Sequence, residues 1–255
     1  MHAVRAGAWF QWMLFRRRMG SVTILLAIPF HVLNFLSVVQ LSGRTDLYGA
    51  VVLAPALSGI WSVALALGST TITAERSQGT LELLISSPAS VAAYLWGRML
   101  ASTAVGLIAF LESWVFALAV VDLRPVIWHP GWFAAVLVAT ALATVASSAV
   151  LAAVAALSRT PEAHQNFLNY PMFVLAGIFT PVAFLPIWLK PVSRLIFLSW
   201  GADLFRGTMS PEQLPHPWLQ IGAVVFLGGA AFVGGGYLIS KIMSRLRSTG
   251  RLAVG

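Results

Sequence analysis

The chain has 255 residues, 58% of them hydrophobic and 9% charged, with a formal net charge of +8. Soluble domains carry about 25% charged residues, so this chain is too poor in charge to cover a water-facing surface and reads as an integral membrane protein. It contains no cysteine, which excludes disulfides, zinc–thiolate sites and thiol chemistry.

The first element in chain order is "WFQWMLFRRR", residues 9–18. Its apolar run is too short to cross a bilayer, and its mix of aromatic and basic residues predicts an interfacial amphipathic helix over 4–18. No small-residue exit follows it, so it does not read as a cleavable signal. A spanning helix needs about 20 apolar residues, and six segments qualify: 21–41, 49–72, 92–121, 131–157, 167–185 and 218–240. The expected fold is all-α. Residues 1–20 form an interfacial segment, 21–241 a six-span membrane domain and 242–255 a basic tail. In the first span His31 and Asn34 are one turn apart. With no third ligand nearby they point to a helix–helix hydrogen bond rather than a metal.

Between the second and third spans lies "ITAERSQGTLELLISSP", residues 72–88. Thr73–Arg76 can finish the second helix, and Gly79 suits a left-handed exit. Thr80 can cap a short helix whose Leu81, Leu84 and Ile85 share a face. Ser87-Pro88 stops it, and Ser90 can cap the third span. Periodicity alone leaves two readings open: a passive hairpin on the headgroups, or an apolar knob with a charged rim.

In the third span Glu112 is the one acid placed well inside an apolar segment. An intramembrane carboxylate costs ~2.5–3.5 kcal/mol on insertion scales, so it faces a substrate path, pairs with a neighbouring helix or lies nearer the outer surface. "HQNFLN", 164–169, ending at Asn169, either lines an inner gate or is an amide-rich helix start. Six prolines between 181 and 217 rule out one continuous helix there. Their apolar intervals, with Trp188 and Trp200 suited to the interface, leave two readings, an external loop or short helices dipping into the outer leaflet.

Orientation follows from basic asymmetry. With both ends inside, eleven Lys and Arg fall on the inner side and five on the outer. Both termini and the 72–88 loop are therefore expected in the cytoplasm. The basic tail reads as a topology determinant, and nucleic-acid binding is not expected.

"ERSQGTLELLISSPASVAAYLWGRML", 75–100, resembles the cytoplasmic loop of ABC-2 type exporter permeases: Glu75-Arg76, Gly79-Thr80-Leu81-Glu82, Ser87-Pro88 and Gly97-Arg98 match that family's pattern. "AGIFTPVAFLPIWLKPVSRLIFLSWGADLFRG", 176–207, is similar to the same family's G-x-x-x-P-x-x-x-L-P-x-W segment after the fifth span, followed by a polar stretch and an Arg. The chain departs from many members after Ser87-Pro88, where "ASVAAY" replaces charged residues. The resemblance implies a coupling helix seated in a cytoplasmic ABC ATPase, with Leu81, Leu84 and Ile85 as the contact and Glu75, Arg76 and Glu82 fixing register. It also implies two ATPase subunits that bind ATP and Mg, a second permease chain, identical or homologous, and a bacterial plasma-membrane location among membrane lipids. The chain itself has no G-x-x-x-x-G-K-[ST] phosphate loop and no set of catalytic residues, so no cofactor and no enzymatic step are assigned to it. Export of a hydrophobic or amphipathic molecule is the leading expectation. The alternatives are a lipid-linked polysaccharide permease and a proton-coupled secondary transporter, which would show repeats and several intramembrane acids.

Overall fold

The computed structural model describes residues 2–17, 19–43, 48–87, 90–120, 122, 125–157 and 169–249, without the side chains of 19–26, 69, 77, 82, 85, 157 and 246–249. Arg44, Asp46, Pro88, Arg124, Arg159, Glu162 and the "HQNFL" run at 164–168 lie outside the described residues.

The elements are α1 (His2–Arg17), α2 (Met19–Ser42), α3 (Tyr48–Ser69), α4 (Thr71–Ser77), α5 (Thr80–Ser86), α6 (Val91–Ala119) and α7 (Pro130–Leu157). They continue with α8 (169–175), a 3-10 turn (Val182–Phe184), α9 (Lys190–Arg194), α10 (Phe197–Thr208) and α11 (Pro217–Thr249). No strand occurs among the described residues. Four helical stretches are long and apolar enough to cross a membrane: Tyr48–Arg76, Val91–Ala119, Pro130–Ala156 and Pro217–Arg245. Ala27–Ser42 of α2 is apolar but shorter. α11 runs past the predicted span end into the basic tail, as far as Thr249.

α3 is the axis of the bundle. It is apolar all round, and every residue from Val51 to Ile60 is buried, as a helix enclosed by others should be. Its neighbours come close because the contact positions are small. A Cβ at Gly106 of α6 would stand 3.0 Å from the Ile60 carbonyl oxygen, and one at Gly228 or Gly235 of α11 would press on Ala143 or Ala149 of α7. Hydroxyls finish the fit. Ser113 donates to the Val52 carbonyl at 2.9 Å, and Ser148 lies 3.4 Å from the Ala64 carbonyl.

The two ends of the bundle differ. At the loop end, α1, α4, α5, the start of α6 and the last turns of α11 come together, with Leu81, Val91, Leu95 and Met243 in one buried cluster. At the far end α10 is built into the core rather than laid on its surface. Phe205 packs on Phe110 and Phe133 with ring centroids 5.9 and 5.2 Å away, and Phe197 lies 6.4 Å from Trp61. The Thr208 carbonyl accepts from the Trp128 and His129 amides at 2.9 and 3.1 Å. The segment is broken as its prolines demand, but α10 carries eight buried residues where shallow leaflet helices were expected.

The fifth predicted segment also differs. Its helix ends at residue 175, not 185. Gly177, at φ +69°, takes the left-handed position. Its amide donates to the Val174 carbonyl at 3.0 Å, and the Ile178 amide donates to Phe173 at 3.0 Å. This is the paired closure of a Schellman end, with Ile178 and Phe173 buried as its apolar clasp. Apolarity continued through Phe179 and Val182, which hid the stop.

Candidate functional site

The α4–α5 element forms as its residues dictate in three places. Gly79 has φ +69° with nothing within 4 Å of an added Cβ, so conformation rather than space demands glycine. Ser87 is extended at φ −66° and ψ 143°, as a residue before proline must be. Ser90 caps α6, accepting from the Ala93 amide at 3.3 Å. Thr80 does not cap. Gly79 holds that position, and the Thr80 hydroxyl instead bonds the Glu75 carboxylate.

Glu75 is the centre of the element. It is 2% exposed, so it is not the rim residue expected from the sequence. Its carboxylate pairs with the Arg98 guanidinium, both side chains 3% exposed, and accepts from the Tyr94 hydroxyl at 3.1 Å. Arg98 Nε donates to Gln11 Oε1 at 2.9 Å, and Nη1 lies 3.4 Å from the Thr71 carbonyl. One dry cluster therefore ties α1, α4, α5 and α6 together. A buried pair survives only when its remaining lone pairs and protons find partners, and here Thr80, Tyr94, Gln11 and Thr71 supply them. The sequence reading counted Arg98 as a topology charge and motif member. Gln11 and Tyr94 drew no notice, because nothing local links positions 11, 75, 94 and 98.

The α1–α6 seam is as tight as backbone permits. A Cβ on Gly7 would overlap the Tyr94 carbonyl, and one on Gly97 would overlap the Val4 carbonyl. α1 thus packs one edge on the protein itself, where the sequence predicts only a helix at the headgroups.

Leu81, and in part Leu84, point inward from α5. Leu81 is 3% exposed among Ile72, Val91 and Leu95, and Leu84 packs partly against the same cluster. Leu81 is an anchor to the bundle and is closed to a partner. The large apolar side chain that leaves the protein here is Leu83, 71% exposed, which lies off the face that helical spacing gives Leu81, Leu84 and Ile85. Gln78 and Gly79 are exposed beside it, and Arg76 is half-buried. The side chains of Glu82 and Ile85 lie outside the described residues, as does Pro88.

A family model for ABC-2 type transporters matches residues 2–210. The chain belongs to the ABC-2 type transporter family. It is a multi-pass membrane protein and a permease subunit of an ABC transporter, and such permeases associate with ABC ATPase subunits. No curated protein matches the chain.

In the permease, Glu112 stands seven residues before the end of α6, about 10 Å along the helix. It sits where the buried face, with Ala109 and Ser113, meets the exposed face of Ile108, Leu111 and Val115. Its Oε2 is buried without a hydrogen-bond partner among the described residues, as is Oδ1 of Asn169 at the start of α8. No group of three metal-ligating side chains occurs among the described residues.

The far end holds a second ionic cluster. Asp203 bonds Arg194 at 2.8 Å and Arg206 at 3.2 Å. Arg206 also donates to the Gly177 carbonyl and, at 3.1 Å, to that of Ile178, satisfying the oxygens left over by the α8 end. Trp200 donates to the Arg194 carbonyl at 2.9 Å while the Arg194 guanidinium lies 4.6 Å above its ring. Beside Arg206, the far ends of α2 and α3 and the 179–184 turn bound a cavity of about 1050 Å³ with Phe35, Leu36, Leu53 and Phe179 in its walls.

Proposed function

We propose that this permease exports a hydrophobic or amphipathic molecule across a bacterial plasma membrane, in a complex of two permease chains and two ATPase subunits. In this reading the chain crosses the membrane six times, α2 and the segment ending in α8 supplying the crossings beyond the four long stretches. The loop end, with both termini, faces the cytoplasm, as the excess of Lys and Arg there favours. ATP and Mg are bound by the ATPase subunits, and this chain catalyses nothing. α5 is the element that meets the ATPase. Glu112 and Asn169 face the pathway, since an intramembrane acid is retained for a partner or a path.

The observation that carries the proposal is Leu83, held out from a helix whose other side is pinned by Leu81 and Thr80. A knob on a rigid mount transmits a partner's rigid-body motion to the spans. The cavity at the far end, lined by Phe35, Leu36, Leu53 and Phe179 together with Gln40, Tyr48, Asp122 and Arg206, suits an amphipathic cargo. A lone intramembrane acid argues against a proton-coupled carrier.

The test is Leu83→Asp. An exposed site changes stability by no more than about 0.5 kcal/mol, so the variant inserts and melts as wild type does. Copurification with the ATPase should fall about 30-fold, as for an interface anchor worth ~2 kcal/mol, and transport in vesicles should fall with it. Full copurification and full transport would remove α5 from the interface.

A further inference from the structure

α1 has two edges, and the coupling cluster uses only one. Gly7 and Gln11 are buried against α6. On the opposite side Arg5, Trp9, Trp12 and Arg16 follow at i, i+4, i+7 and i+11, a single stripe on a helix of 3.6 residues per turn. All four are exposed, with Trp9 at 63% and Trp12 at 37%. Trp9, Trp12, Met13, Arg16 and Arg17 surround a hollow of about 340 Å³. α1 contains three arginines and no acid, so the hollow has an aromatic floor and a cationic rim with no internal counter-charge.

The position of this stripe narrows its occupant. Its buried edge sits on Tyr94–Arg98, the first turns of a helix that goes on to cross the membrane. The stripe therefore stands at the boundary of the leaflet where α6 begins. Indole rings favour that boundary, and arginines there are drawn to anionic headgroups. A zwitterionic lipid would cover the rings but leave the cationic surplus. We propose that this edge of α1 is a docking site for an anionic glycerophospholipid, its phosphate held by Arg16 and Arg17 and its glycerol and upper acyl carbons laid against Trp9, Trp12 and Met13. The site rests on charge and on the placement of α1, not on the coupling role of α5. Because α1 also carries Gln11, the bound lipid buttresses the helix that orients Arg98.

The full permease is reconstituted in phosphatidylcholine nanodiscs with a trace of spin-labelled phosphatidylglycerol or spin-labelled phosphatidylcholine, and the immobilised fraction of each label is read by electron spin resonance. Wild type should hold phosphatidylglycerol about fivefold or more over phosphatidylcholine. Arg16→Gln with Arg17→Gln should bring the ratio close to one, whereas Arg16→Lys with Arg17→Lys should keep most of it, which separates charge from folding. Trp9→Ala with Trp12→Ala should lower retention of both labels. Lys241→Gln with Arg245→Gln, at the other basic end, should leave the ratio unchanged. A wild-type ratio near one, a ratio unmoved by the Arg16/Arg17 change, or equal loss in the Lys241/Arg245 variant would overturn the site. So would lost ATPase copurification in the Arg16/Arg17 variant at an unchanged lipid ratio, since the stripe would then be a protein contact.

Discussion

Among the described residues, two arginine–carboxylate clusters hold this permease, one at each end, and they work in different ways. At the loop end Glu75 and Arg98 are each 3% exposed and draw partners from four helices. At the far end Asp203 is 26% exposed, Arg206 24% and Arg194 38%. The first cluster is dry and has one acid for one base. The second is partly wet and has two bases for one acid, and Arg206 divides its donors between the carboxylate and two backbone carbonyls. A dry pair fails when either member is lost, because the survivor is stranded without water. A wet pair hands its survivor to solvent. The same residue types thus make an obligatory joint in one place and an adjustable one in the other.

The comparison breaks most sharply at Glu75. Glu75→Ala should cost about 3–5 kcal/mol, read as a lower melting temperature in detergent. Glu75→Gln with Arg98→Gln should be milder than the two single changes added together, and simple additivity in that cycle would mean the pair is not coupled. Next comes Arg206→Ala, which leaves the Gly177 and Ile178 carbonyls without their charged donor. A loss of about 1.5–3 kcal/mol is expected, with faster amide exchange at Gly177 and Ile178. Arg194→Ala should do least, within about 0–1 kcal/mol, and any effect it has should shrink as salt is raised. If Arg194→Ala proved as damaging as Glu75→Ala, the distinction between dry and wet joints would be lost.

What the sequence revealed followed local rules. Gly79, Ser87 and Ser90 are governed by backbone conformation and capping within three residues, and each occupies its expected place. The long apolar runs gave α3, α6, α7 and α11, because burial in a bilayer selects for length and composition. Leu81 lies inside rather than at a contact surface for a physical reason. Periodicity tells that Leu81 and Leu84 share a face, but not whether that face meets its own protein or another's. The Glu75–Arg98 pair spans 23 positions and appears only once the α3–α4 stretch and α6 lie side by side. The α8 end was masked by composition, since Gly177 interrupts a run that stays apolar on both sides of it. Glu112 was correctly placed on a helix, but its surroundings depend on packing that one sequence does not encode locally.

The Gly7–Gly97 crossing has a mechanical consequence. Two backbones in direct contact leave no side chains between them to deform, so the joint has almost no slack. α1 is 16 residues long, and Arg17 lies ten residues, about 15 Å, beyond the crossing at Gly7. That end is held as well, since Phe15 packs against the buried cluster of Ile28, Val63, Val105 and Ala109. α1 is therefore clamped at two places about 12 Å apart, and a rotation of α6 would carry it along as one rigid body rather than bend it.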